Sequence, residues 1–203
     1  MSAIAEAAVE ITPGWVTAEM PPGYQNRVAE IQRLVADLEV MGRFGRLLWG
    51  SGPVLAEAVR DALSTLKLEA HVEEPFSKPA VVVKLDATRR LILYVSTTRQ
   101  TLHKKSADLA HAFRLLHEVA EDTDRVAIVL NTEPDTPLAD RAPGLSPDAA
   151  AFLRRMGVSA LSAATVFGLW KLSLQDATRA RTHVERLYAQ DGGVFELTPS
   201  VLK

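Results

Sequence analysis

Three apolar runs constrain this chain more than anything else in it: AVVVKL at 80–85, LILYV at 91–95 and RVAIVL at 125–130. A strand with one wet face alternates apolar and polar residues. These runs are rich in β-branched residues and barely alternate, so they read as strands covered on both faces. Covering both faces of a sheet takes a helical layer on each side. The remaining sequence supplies those layers. Leu55, Ala58, Val59, Ala62 and Leu66 recur at helical spacing behind Pro53. Further helices are predicted over Thr101–Glu121, Pro147–Met156, Ala164–Leu172 and Leu174–Ala189. Short strands are predicted at Glu69–Glu73 and Val158–Leu161, and a hairpin connection at Asp86–Arg90. A meander followed by helical crossovers predicts an α/β domain, a mixed central β-sheet flanked by helices.

Two segments precede that domain. Residues 1–23 read as an extended arm, because Pro13, Pro21, Pro22, Gly14 and Gly23 forbid a long helix. Trp15 is the residue expected to anchor it. Residues 24–49 read as one long amphipathic helix, with Val28, Ile31, Leu34, Val35, Leu38, Met41 and Phe44 at three- and four-residue steps. Its stripe can pack on the rest of the chain, or it can pair with another helix over two to three heptads. Val28, Ile31, Val35, Leu38 and Met41 are the residues expected to carry such an interaction, a homodimer being the simplest form. The domain proper is expected over 50–203.

The composition excludes several chemistries. The 203 residues include no cysteine, which rules out disulfides and thiolate metal sites. A net charge of -2 argues against a globally basic nucleic-acid binder. Residues 1–10 lack the basic region and apolar core of a signal peptide, and no stretch has the roughly 18 apolar residues of a membrane helix. A cytoplasmic protein with no membrane partner is the expectation. The five histidines have no zinc-like spacing and are expected in surface or cap roles.

Four stretches carry a family resemblance: LLWGSGPVLAEAVRDALSTLKLEAHV (47–72), LILYVSTTRQTL (91–102), RVAIVLNTEPDTPLADR (125–141) and DGGVFEL (191–197). PGWVTAEMPPGYQNRVAEI (13–31) also resembles the linker preceding this domain in longer relatives. Together they resemble bacterial members of the restriction-endonuclease-like, or PD-(D/E)XK, superfamily. The resemblance implies a phosphodiesterase scaffold in which strand carboxylates hold Mg²⁺ and a neighbouring lysine stabilises developing charge. Laid on that pattern, the acid-x-Lys slot falls on Tyr94-Val95-Ser96 and the preceding acid slot on Pro79 or Ala80. Glu57 alone stands where relatives carry an accessory helix carboxylate. The resemblance therefore implies vestigial positions at Glu57, Ala80, Tyr94 and Ser96, with no catalytic residue and no cofactor. Mg²⁺ would enter only through a rearranged site drawing on Lys84, Glu74 and Asp86.

A run of cations surrounds the same strand: Lys84, Arg89, Arg90, Arg99, His103, Lys104 and Lys105. They form either a retained phosphate-binding surface or an ordinary solvated face. Two functions follow. The first is a non-catalytic, nuclease-like interaction module that binds a protein partner or itself. The second is a nucleic-acid-binding protein, or a metal-dependent nuclease with a rearranged active site.

Overall fold

The computed structural model describes residues 14–197. The chain divides into two compact units, 1–42 and 43–203. The expectations for residues 1–13, the signal-peptide reading among them, lie outside the described residues.

In the first unit the arm is not wholly extended. Gly14–Glu19 forms a short helix, α1. Pro21 and Pro22 confine it, and Trp15 is exposed rather than anchored. A turn closed by Tyr24 N–H on the Pro21 carbonyl (3.1 Å) opens α2, Tyr24–Trp49. The helix has the bounds the apolar spacing predicts, and the unit ends within it at Gly42.

The second unit begins with the last turns of α2, where Phe44 and Leu47 are buried. There follow α3 (Gly52–Ser64), β1 (Glu69–Glu73), β2 (Ala80–Lys84), β3 (Arg90–Thr98) and α4 (Ala107–Glu118). The chain continues through β4 (Arg125–Thr132), α5 (Pro147–Arg155), β5 (Ser159–Ser162), α6 (Ala163–Ser173), α7 (Ala177–Ala189) and β6 (Gly193–Val194). The strands form one sheet in chain order, β1 to β6. The first three are antiparallel, and β3 to β6 run parallel. The protein is thus α/β, with a mixed six-stranded sheet between helices.

Strand parity builds two cores from one set of runs. Val81, Val83, Leu91, Leu93, Val95, Ala127 and Val129 join Leu55, Val59, Leu169 and Val184 in one buried cluster, under α3, α6 and α7. Ala80, Val82, Ile92, Tyr94, Val126 and Ile128 join Leu109, Leu115 and Leu153 in the other, under α4 and α5. Each central strand feeds both, which is why its sequence does not alternate.

The differences from expectation are local. β3 runs on to Thr98, and α4 starts at Ala107 instead of Thr101. The residues between are taken up by a bridge in which Leu102 N–H reaches the Gly144 carbonyl at 2.9 Å. β6 has too few residues to show a period. Gly192 leads into it at φ 81°, where a Cβ would meet the Leu153 carbonyl at 2.9 Å. A glycine is needed there for conformation and for space.

Candidate functional site

The β3 positions that the resemblance aligns with acid-x-Lys, Tyr94 and Ser96, are a hydroxyl pair turned inward. Tyr94 and Ser96 project to the same side of the sheet and are both buried. Tyr94 Oη donates to Asp108 Oδ1 at 2.6 Å, and Ser96 Oγ donates to the same oxygen at 2.8 Å. Burial first, and the Asp108 carboxylate second, push the Tyr94 phenol well above its ordinary range, so it remains a donor. Ala80 lies opposite Tyr94 in the β2–β3 register, on the same face. The His111 ring rests 4.5 Å from the Tyr94 ring, with its Nε2 buried and without a partner among the described residues. Burial holds His111 below the usual histidine value, with Lys78 and Arg114 acting in the same direction and Asp108 against them. The surface role expected of His111 is therefore corrected, as it is for His183, which is also buried. Asp108 was not singled out from the sequence. Its one signal there is its place just behind Ser106, as the acid in the first turn of a helix.

Glu57 does not belong to this group. It lies on α3, which covers the face lined by Val81, Val83, Leu93 and Val95, whereas Tyr94, Ser96 and Ala80 face α4. Of the four positions the resemblance implies, Glu57 stands apart from Ala80, Tyr94 and Ser96, because pleat parity separates the helix acid from the strand positions by the thickness of the sheet. Glu57 pairs instead with Arg60 at 2.6 Å on the helix surface. On the α3 face the same strand presents Val95 and Thr97. These donors do not fit Mg²⁺, which asks for several convergent oxygens with carboxylates among them. Among the described residues no group of three or more His, Asp or Glu could hold a metal ion.

The residues named for a rearranged site, Lys84, Glu74 and Asp86, do not converge with Tyr94 and Ser96. The Asp86 carboxylate accepts the backbone N–H groups of Thr88 (2.9 Å) and Arg89 (2.8 Å) and pairs with the Arg89 side chain, so it shapes the β2–β3 hairpin. Those bonds hold it far below the usual carboxylate range. Lys84 Nζ is held by Glu69 at 2.6 Å across the β1–β2 pair. Glu74 is exposed, at the entry to a single 3₁₀ turn, Pro75–Ser77.

The basic cluster is not one surface. Lys84, Arg89 and Arg90 sit at the start of β3, whereas Arg99, His103, Lys104 and Lys105 follow its end. A strand of this length holds the two groups roughly 25 Å apart. The first group is neutralised. Arg89 pairs with Asp86 and with Glu185 (3.0 Å), and Arg90 with the buried Asp124 (2.7 Å) and with Glu121 (3.1 Å). In the second group Arg99 reaches Asp135 at 3.4 Å, both well exposed. Lys104 and Lys105 have no acidic partner among the described residues. Proximity in sequence does not give proximity in space here, because the length of β3 intervenes.

Two of the stretches that carry the resemblance meet, by contrast, in one network. Asn131, buried at the end of β4, donates its Nδ2 to the Gly50 carbonyl at 2.8 Å. Arg141 donates to Asn131 Oδ1 (2.9 Å), the Leu48 carbonyl (2.6 Å) and the Thr136 carbonyl (2.8 Å). The guanidinium thereby ties the long 133–145 loop and the α2–α3 break to the end of β4. Burial lowers its pKa from the usual arginine value, yet an arginine stays charged. Gly50 is required at the break, since a Cβ there would meet the Arg46 carbonyl at 2.5 Å.

In the first unit, the residues expected to carry an interaction are in view. Ile31 is 61% exposed and Leu38 67%; Val35 and Met41 are also exposed, and Val28 is half-buried. Arg33 bridges Glu30 (2.8 Å) and Asp37 (3.1 Å) along the same helix. Among the described residues no helix is long and apolar enough to cross a membrane. Comparison with known proteins finds no matching family model, no matching curated protein and no matching solved structure.

Proposed function

We propose that this chain is a non-catalytic, nuclease-like interaction module that pairs with a second copy of itself through α2. The observation that carries the reading is the exposed apolar row on that helix. Val28, Ile31, Val35 and Leu38 repeat at three- and four-residue steps, as a and d positions of a heptad do. β-branched valine falls at both a positions and leucine at one of the two d positions, a combination that favours two parallel strands, with Ile31 at the other. In the same register Arg33 with Glu30 and Asp37 occupies the opposite side, so the paired charges face water and the apolar row faces a partner. Beyond Leu38 the next a and d positions are Gly42 and Gly45, which give no apolar contact and limit the seam to about two heptads.

The seam is short, so the pairing is weak. Each half-exposed side chain contributes roughly 1–2 kcal/mol on burial, against ~4–15 kcal/mol for lost translational and rotational freedom. That balance leaves only a small surplus, so the dimer forms at high protein concentration. The hydroxyl pair on Asp108 supports the non-catalytic half of the reading, because the positions that would carry metal ligands are turned into the core.

Sedimentation velocity of the whole chain, from low to several hundred micromolar, tests the proposal. A concentration-dependent dimer that Leu38→Lys converts to monomer, with unchanged circular dichroism, is the expected result. A monomer throughout, or a dimer indifferent to both Leu38→Lys and Val35→Lys, overturns it.

A further inference from the structure

We propose that the groove between α4 and α5 is a docking site for an acidic peptide segment bearing bulky apolar side chains. The groove belongs to the second unit and owes nothing to the α2 seam. It is an open cleft of about 420 Å³, floored by Ala110, Phe113, Phe152 and Met156 and bordered by Lys104 and Lys105. Phe113 is 40% exposed on α4, where a helix facing only water would carry a polar residue. Phe152 on α5 and Met156 just past its end are half-buried and leave part of their surface open.

The charge at the rim selects the partner. Neither Lys104 nor Lys105 has an acidic partner among the described residues, and the Lys104 ammonium lies over the Phe152 ring, 5.6 Å from its centroid. Acids that neighbour the groove residues in sequence are already engaged, Asp108 by Tyr94 and Ser96. Asp148 accepts hydrogen bonds from Ser146 Oγ and from nearby backbone N–H groups, that of Lys104 among them. Glu118 pairs with Arg114 at 3.3 Å. The rim therefore offers positive charge over an apolar floor, which suits carboxylates flanking one or two large apolar residues. A single-stranded nucleic acid would also find cations and aromatic rings here, but it stacks on open ring faces. One face of Phe152 is taken by Lys104, and the His117 ring lies 4.2 Å from that of Phe113.

The experiment is a selection from an unbiased random 12-residue display library on the immobilised whole chain, with a parallel selection on Lys104→Glu/Lys105→Glu. Expected are enriched sequences with excess Asp and Glu around Phe, Leu or Trp. One of them, synthesised and fluorescein-labelled, should bind with an affinity about tenfold weaker for the double variant and for Phe113→Asp. Met156→Asp serves as an independent floor variant, and unchanged thermal midpoints establish that each variant is folded. Enrichment without acidic bias, or equal enrichment on the double variant, overturns the proposal. So does tighter binding of a labelled oligothymidylate than of any selected peptide.

Discussion

The first half of α2 and the whole of α3 carry the same kind of apolar stripe and meet opposite fates. On α3, Leu55, Val59 and Ala62 lie on the sheet and are almost wholly buried. On α2, Ile31, Val35 and Leu38 recur at the same spacing and stay about half exposed or more. Periodicity identifies the sticky face of a helix. Whether the same chain covers that face depends on what the tertiary structure brings to it. The α3 stripe is part of a core, and the α2 stripe is left exposed to solvent.

Truncation breaks or upholds this contrast most directly. Leu55→Ala should cost about 3 kcal/mol in urea unfolding, because it opens a cavity in a packed core. Leu38→Ala, measured at concentrations below association, should stay within about 0.5 kcal/mol, as for an exposed site. Equal losses at the two positions would mean that both stripes are buried and would end the comparison.

A smaller effect is expected where the second unit is held by polar contacts instead of apolar ones. Arg141→Ala leaves Asn131 Oδ1 and two carbonyls short of a donor, and should cost about 2 kcal/mol by the same measurement. Limited proteolysis should then cut the 133–145 loop first. An unchanged midpoint would show that the tie between this loop and the α2–α3 break is dispensable.

The smallest effect concerns pH, and it is confined to the second unit. His111 and His183 are both held below the ordinary histidine value, chiefly by burial, with Lys78 and Arg114 beside the first and Arg186 and Arg179 beside the second. The unfolded chain therefore binds more protons than the folded one between the lowered value and about 6.5. Stability should be level above that range and decline as pH falls through it. Urea midpoints between pH 7.5 and 5.5 should show the decline, and a His111→Gln/His183→Gln variant should flatten it. A slope of the opposite sign would mean that the two rings gain protons on folding.

Much of the architecture was legible because it follows from local chemistry. β-branched runs without alternation announced strands covered on both faces. Pro147 behind Ser146 announced the start of α5, where Ser146 caps the helix by accepting the Ala149 N–H. The bounds of α2 followed from a stripe long enough to average over its irregularities. The candidate site was legible only in part. Tyr94 and Ser96 were placed on one face by strand period alone, and they are there. Their acceptor, Asp108, comes from a helix that the chain reaches only after a loop of its own, and no local pattern links them.

What the sequence by itself determined about this protein is therefore its class: which segments are strands, which are helices, and which face of each is apolar. The tertiary structure alone decided that Glu57 and Tyr94 lie on opposite sides of the sheet, that the cations of 84–105 fall into two groups, and that Arg141 reaches Leu48. The physical reason is range. Backbone propensity and side-chain period act over a few residues, whereas a site is assembled from residues tens of positions apart, and only the packing of the whole sheet sets which of them meet.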